Sequence, residues 1–311
     1  EGYLSGEQLS ETLGVSRAAV WKAITALRES GYAINSATNR GYRLTASPDV
    51  LTPEEIRCGL HTRAIGKNIV ALQEVDSTNE EAKRQAQCGA PDGSVFLAER
   101  QTGGKGRLGR TWESPAGTGI WFSVLLRSSL VPSEISSITL LAGIAVCRGI
   151  RSVTGCAAKL KWPNDVVIGS RKVCGILTEM AAEIDRVEYV VLGIGINANT
   201  EAFPAKLAEK ATSLRIEAGS AFPRAAILRA VLEELESLLL NAKAGSAFQE
   251  ILDEYKFLCV SLNRRVGFFW NGEQQTGMAV DVSPSGELIV ERDGGGRISI
   301  NAGEVVVQGI Y

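Results

Sequence analysis

The chain has 311 residues, 45% hydrophobic and 22% charged, which is room for two or three domains of ordinary globular composition. Its formal net charge of -2 excludes a molecule that grips nucleic acid by overall charge, so any DNA contact must come from a local basic patch. No apolar run spans a bilayer and no charged-then-apolar leader opens the chain, so a cytoplasmic protein with no membrane contact is expected. The six cysteines form no C-x-x-C pair and His61 is the one histidine. No metal ligand set and no Cys-His or Ser-His nucleophile is therefore expected, and the thiols read as small apolar residues.

Ser5-Gly6-Glu7 starts a short helix through Leu13, with Leu9 and Leu13 four residues apart. After the Gly14-Val15 turn, Ser16 caps a second helix to about Glu29, with Val20, Ile24 and Leu27 on its buried stripe. Residues 32–44 alternate like a β-hairpin with a polar tip. Helix, glycine turn, helix and hairpin is the order of a winged helix-turn-helix, predicted over residues 1–46. Ser47-Pro48-Asp49 and Thr52-Pro53 read as a linker.

A mixed segment over residues 51–258 follows. Strands are predicted at Val70–Val75, Ser94–Glu99, Ile120–Leu126, Val173–Ala182 and Val187–Ile196. Helices are predicted over Pro132–Val153, after Pro223, and over Ser246–Leu258. The helix after Pro223 places Ile227, Leu228, Val231, Leu232, Leu235 and Leu239 on one face. Residues 259–311 are short strands separated by Asn271-Gly272, Pro284-Ser285-Gly286 and a glycine run at 294–296, the pattern of a small β-barrel.

Four motifs carry chemistry. Gly103-Gly104-Lys105-Gly106-Arg107-Leu108-Gly109-Arg110 combines backbone N–H groups with cations and no acid, which suits phosphate or carboxylate. It is neither a Walker A loop nor a dinucleotide fingerprint, and taken alone it reads equally as a solvated loop. Lys159 to Asp165 contains K-W-P-N-D, which sets a lysine beside an apolar wall; a core tryptophan and a hairpin turn are the plain alternatives. Asp76-Ser77-Thr78-Asn79 with Glu80 and Glu81 reads as a capping box, or as donors to a ligand carbonyl. Gly193-Ile194-Gly195-Ile196-Asn197 closes an apolar strand, where glycine permits close backbone approach.

Taken in order, D-S-T-N, Q-T-G-G-K-G-R-L-G-R-x-W, K-W-P-N-D, C-G-I-L-x-E and G-I-G-I-N resemble the biotin–protein ligase family over essentially the whole chain. With the helix-turn-helix ahead of them, the similarity is to the bifunctional type, ligase and biotin operon repressor, whose enzymatic half is a biotin–[acetyl-CoA-carboxylase] ligase. The resemblance implies an α+β fold: a winged helix-turn-helix, a class II synthetase-like catalytic domain and an SH3-like C-terminal β-barrel. It implies biotin and ATP joined with Mg²⁺ into biotinyl-5′-AMP, then transfer of biotin to a lysine of a biotin carboxyl carrier protein.

By matched position the resemblance assigns Ser77, Thr78, Asn79, Gln101, Lys105, Gly106, Arg107 and Lys161 to biotin. It assigns Arg107, Arg110, Trp112 and Asn197 to the adenylate, with Lys161 and Arg107 as the catalytic cations. Attack of a carboxylate on the α-phosphorus joins two anions, and such cations offset that repulsion. Lys105 stands where the family often has arginine, which keeps the charge and loses the bidentate fork.

In the first 45 residues five basic side chains face four acidic ones, yet Arg17 and Lys22 share the second helix and Arg40 and Arg43 the wing. Operator DNA contact is expected from Ser16, Arg17, Ala18, Lys22, Arg40 and Arg43, with Trp21 either reading or packing. The resemblance also implies a homodimer linked to ligand. The competing readings are a lipoate or octanoate ligase, a biotin sensor without ligase activity, and an enzyme whose N-terminal domain has no DNA role.

Overall fold

In the computed structural model, which describes residues 2–127, 135–183, 186–243, 248–301 and 305–311, serines start the first two helices. Ser5 accepts from the N–H of Gln8 and Gln8 accepts in return from Ser5, a complete capping box for α1 (Gly6–Leu13). Ser16 accepts from Ala19 N–H and starts α2 (Arg17–Glu29). Strands β1 (Ala33–Ala37) and β2 (Gly41–Ala46) pair antiparallel. Of the predicted stripe, Val20 is buried and Ile24 half-buried, but Leu27 is 40% exposed. This unit ends at Val50, and so short a stretch buries only part of its apolar surface.

The second unit runs from Leu51 to Tyr311. Thr52-Pro53, expected in the linker, begins α3 (Pro53–Arg57) instead. Thr52 Oγ1 accepts from Glu55 N–H, and proline suits the first helical turn. A seven-stranded sheet follows, built from β3 (Ile69–Val75), β4 (Val95–Gln101), β5 (Gly119–Leu126), β6 (Lys159–Lys161), β7 (Asp165–Ile168), β8 (Arg171–Glu183) and β9 (Arg186–Asn197). Its order is β3-β4-β5-β9-β8-β7-β6, with β3 and β4 parallel and the other neighbours antiparallel.

Around the sheet lie α4 (Thr78–Gln87), α5 (Ile135–Thr154), the short α6 (Ala205–Ala208) and α7 (Leu214–Ala218), α8 (Arg224–Lys243) and α9 (Phe248–Leu258). The expected helix starts at Pro132 and Ser246 lie outside the described residues. One sheet face carries Leu97, Phe122, Val124, Leu192 and Ile194 into the main core with α5 and α8. On α8 the predicted face is buried from Ile227 to Leu235, with Leu239 packed at its edge. By length and composition α5 would cross a membrane, but most of it is buried in this core. The other face packs Phe96, Leu125 and Val191 on Ala82 and Ala86 of α4.

Five antiparallel strands complete the chain: β10 (Arg264–Trp270), β11 (Glu273–Val282), β12 (Leu288–Arg292), β13 (Arg297–Ile300) and β14 (Val305–Val307), ordered β13-β12-β11-β10-β14. The predicted glycine turns separate them. Val266, Phe268, Ala279 and Leu288 join the same core as the large sheet.

Candidate active site

The start of α4 forms one wall of a cavity. Ser77 is the helix N-cap, yet its side chain makes no capping bond, so the expected capping box is absent. Gln101 at the end of β4 takes that role: its Oε1 accepts from Thr78 N–H at 2.8 Å and from Thr78 Oγ1 at 3.1 Å. Its Nε2 donates to Ser114 Oγ at 2.8 Å. Ser77 is thereby left lining the cavity beside Thr78, Asn79 and Gln101. The Ser123 hydroxyl lies 2.6 Å from Asn79 Oδ1, and Asn79 Nδ2 donates to Glu179 at 2.7 Å. Below them Asp76 pairs with Arg84, whose hydrogen bonds hold its carboxyl down at about 2.

The Gly/Arg loop is ordered by its own backbone. Gly103 N–H donates to Asp76 O, Gly106 N–H to Arg110 O and Trp112 N–H to Gly104 O, at 2.7, 2.7 and 2.9 Å. Lys105 reaches back to α4 and pairs with Glu80 at 2.7 Å. Hydrogen bonds from Lys105 and then Lys83 hold the Glu80 carboxyl below its usual range. Arg107 Nη1 donates to Asn164 Oδ1 at 3.2 Å, so the loop closes on the K-W-P-N-D turn. Asn164 is fixed in turn by its Nδ2 bond to Ile176 O at 2.7 Å. Lys105, Gly106 and Arg107 line this cavity and a neighbouring one of about 570 Å³.

The floor includes Gly175 and Gly195, the middle of a row of cross-strand partners, Lys161↔Asp165↔Gly175↔Gly195↔Trp121. Directly opposite residues share a face, and here glycine at two positions lets Trp112 lie on the sheet. A Cβ at Gly195 would stand 2.6 Å from Trp112 Nε1, and one at Gly193 would stand 2.1 Å from Asn79 Oδ1. Trp112 meets Trp121 edge to face, centroids 6.3 Å apart. Its buried Nε1–H has no hydrogen-bond acceptor among the described residues.

Lys172 is the cation that the sequence reading did not select. Its Nζ lies 5.1 Å from the Trp112 ring centroid, pairs with Asp165 Oδ1 at 2.5 Å, and lines the cavity. A β-bulge puts it there. Val166 opposes Cys174, but Val167 opposes Lys172, so β8 holds one extra residue at this point. Strict alternation from Gly175 would have turned Lys172 into the core with Cys174.

Lys161, by contrast, is not brought to the cavity wall. It is 8% exposed and lies under Tyr311, its Nζ 3.6 Å from that ring's centroid. It stands two strands out from Gly175 in the same row, a separation of roughly 10 Å. Arg110 and Asn197 also stay off the wall. Arg110 is exposed at the loop's far end, and buried Asn197 donates to Thr212 O at 3.1 Å.

Comparison with known proteins matches the Biotin/lipoate A/B protein ligase family over residues 71–197. A Bacillus subtilis protein, bifunctional ligase/repressor BirA, is 37% identical over 300 residues, covering 94% of this chain and 90% of that protein. The chain belongs to the biotin–protein ligase family. Its Escherichia coli relative of the same description is 30% identical, covering 96% and 94%. Among solved structures, the biotin protein ligase of Aquifex aeolicus in complex with biotin and ATP has a TM-score of 0.67 at 31% identity, covering 78% of this chain and 99% of that one. The flanking segments of this family member match an HTH domain over residues 1–43 and a biotin protein ligase C-terminal domain over 262–307. The fold is thus α+β, with the ligase domain between those two.

In the N-terminal unit all six predicted DNA-contact residues, Ser16, Arg17, Ala18, Lys22, Arg40 and Arg43, are exposed. Trp21 is 63% exposed, which removes packing as its reason. Ser16 spends its side chain on the helix cap. Arg28, by contrast, braces the hairpin through Ile34 O at 2.7 Å. Arg40 and Arg43 both stack on the Tyr3 ring, at 5.6 and 5.1 Å.

Proposed function

We propose that this chain is a biotin–[acetyl-CoA-carboxylase] ligase and a biotin-responsive repressor. One observation carries the first half: three cations, Lys105, Arg107 and Lys172, line a cavity that also presents the neutral polar groups of Ser77, Thr78, Asn79 and Gln101. Neutral donors and acceptors suit the ureido ring of biotin. The cations suit its carboxylate and the α-phosphate of ATP. Lys172 takes the catalytic place expected of Lys161, together with Arg107. A carboxylate oxygen attacks the α-phosphorus and pyrophosphate leaves; the amine of a carrier lysine then attacks the acyl carbon, AMP leaves, and the amine's proton goes to solvent.

Lys105 and Gly106 belong to the closing loop, which excludes water from the acyl phosphate. The orphan Trp112 Nε1–H offers a donor to the adenylate. Arg110 and Asn197 serve the adenylate only if the loop and the β9 end move toward it. Among the described residues no group of three His, Cys, Asp or Glu side chains could hold a metal, so Mg²⁺ would arrive on the phosphates of ATP. The names of the Bacillus and Escherichia relatives and the bound biotin and ATP of the Aquifex structure support this reading.

The finer architecture we assign is a winged helix-turn-helix over 1–46, a class II synthetase-like domain over 51–258 and an SH3-like barrel over 259–311. Partners are a biotin carboxyl carrier protein, operator DNA and, when adenylate is bound, a second copy of the chain, in the cytoplasm. Pyrophosphate release with ATP, Mg²⁺ and biotin tests the ligase half, with lipoate in parallel. Release with biotin alone is expected; release with lipoate alone would transfer the chain to the lipoate branch of the family.

A further inference from the structure

We infer that Tyr311 is a positioning residue for adenylation, setting Lys172 through Asp165. The inference rests on the ligase reading for its kinetic consequence, and on geometry alone for the contact itself. Tyr311 follows β14 and packs against the hairpin of β7 and β8. Its N–H donates to Ser170 O in that hairpin's turn at 3.1 Å. Its hydroxyl donates to Asp165 Oδ2. The other oxygen of the same carboxylate, Oδ1, holds Lys172 Nζ at 2.5 Å. Oδ1 meets Lys172 as a close ion pair without hydrogen-bond geometry, so the phenol's hydrogen bond to Oδ2 is what sets the direction in which Asp165 presents its charge to Lys172.

The ring has a second task. Asp165 stands between two lysines: Lys161 is its cross-strand partner on β6, and Lys172 reaches it from the bulge on β8. The face of the Tyr311 ring lies 3.6 Å from Lys161 Nζ and gives that cation an alternative to the carboxylate. Asp165 is thereby kept for Lys172.

The two tasks separate by substitution. Tyr311→Phe keeps the ring and removes the hydroxyl; Tyr311→Ala removes both. The first readout needs no activity: the rate at which an amine-reactive acylating reagent labels each lysine of the full chain, followed by mass spectrometry. Tyr311→Phe is expected to raise labelling of Lys172 about threefold or more and to leave Lys161 unchanged, while Tyr311→Ala raises both. The second readout is biotin-dependent pyrophosphate release. Tyr311→Phe is expected to lower kcat about tenfold, about 1.4 kcal/mol, with KM for ATP within about twofold. In a Lys172→Ala background the same change is expected to add nothing, because it acts through Lys172. Unchanged Lys172 labelling in Tyr311→Phe, or losses that add in the double variant, would overturn the proposal. A wild-type chain that releases no pyrophosphate with biotin sinks the ligase reading instead, and the labelling result still decides the contact.

Discussion

Lys172→Ala and Lys161→Ala, compared side by side, test the central assignment. Lys172 borders the cavity; for a phosphate oxygen bound about 4 Å away, a unit charge would be worth about 4 kcal/mol at an effective dielectric constant near 20. Lys161 stands two strand spacings out, roughly 10 Å, where the same treatment gives about 1.7 kcal/mol. Losing one preorganised charge-stabilising group commonly costs 10²–10³ in kcat, so Lys172→Ala is expected in that range. The difference of about 2.3 kcal/mol between the two positions makes the loss from Lys161→Ala roughly 50-fold smaller. The assay is single-turnover formation of biotinyl-5′-AMP at saturating ATP and biotin, with melting temperature measured on each variant. If Lys161→Ala were as damaging as Lys172→Ala at unchanged stability, the placement of the cations would be wrong. So would it be if Lys172→Ala kept a fifth or more of wild-type activity.

Four further outcomes follow from the same geometry. Gly193→Ala drives a Cβ into Asn79, 2.1 Å from its Oδ1, and overpacking of this kind costs about 1–3 kcal/mol, so calorimetric biotin affinity is expected to fall at least fivefold with ATP affinity nearly unchanged. Glu80→Gln unlatches Lys105 from α4; a half-exposed pair contributes up to about 1 kcal/mol, so adenylate release by stopped flow is expected to quicken by at most about fivefold, and less at high salt. Asp76, held at about 2 by Arg84 against an ordinary 3.8, contributes stability that is present above pH 4 and lost as pH falls through 2. The melting temperature of Asp76→Asn is therefore expected to fall less steeply than wild type between pH 4 and 2, and parallel curves would contradict this. Arg17→Ala is expected to weaken operator binding and to reduce the logarithmic salt slope by about one, measured by fluorescence anisotropy; an unchanged slope would exclude a phosphate contact there.

What the sequence disclosed and what it hid divide along a physical line. Contiguous signals were legible. Ser5 and Ser16 capped the helices they were expected to cap, and α8 buried its predicted stripe, because each depends on residues within a turn or two. The Gly/Arg loop, Ser77 to Asn79 and Gln101 were likewise selected, and the structure brings them to one wall. The failures all involve a partner distant in sequence. Ser77 lost its capping role because Gln101, on another strand, took it. Leu27 lies exposed although its helical spacing was right, because period reports a face and not what covers it.

Lys161 and Lys172 show the deepest form of this. Both lie on strands, both flank Asp165, and both end up on the cavity side of the sheet. Lys161 was assigned by its matched position in K-W-P-N-D, whereas strict alternation along β8 would turn Lys172 inward with Cys174. One extra residue between Cys174 and Lys172 reverses that, and it leaves both Val173 and Cys174 fully buried where strict alternation would bury one. The bulge therefore decides that Lys172 lines the cavity. Deleting Val173 would keep Gly175 opposite Asp165 and Lys172 opposite Val167, so simple pairing would leave Lys172 on the cavity side and adenylate formation is expected to persist.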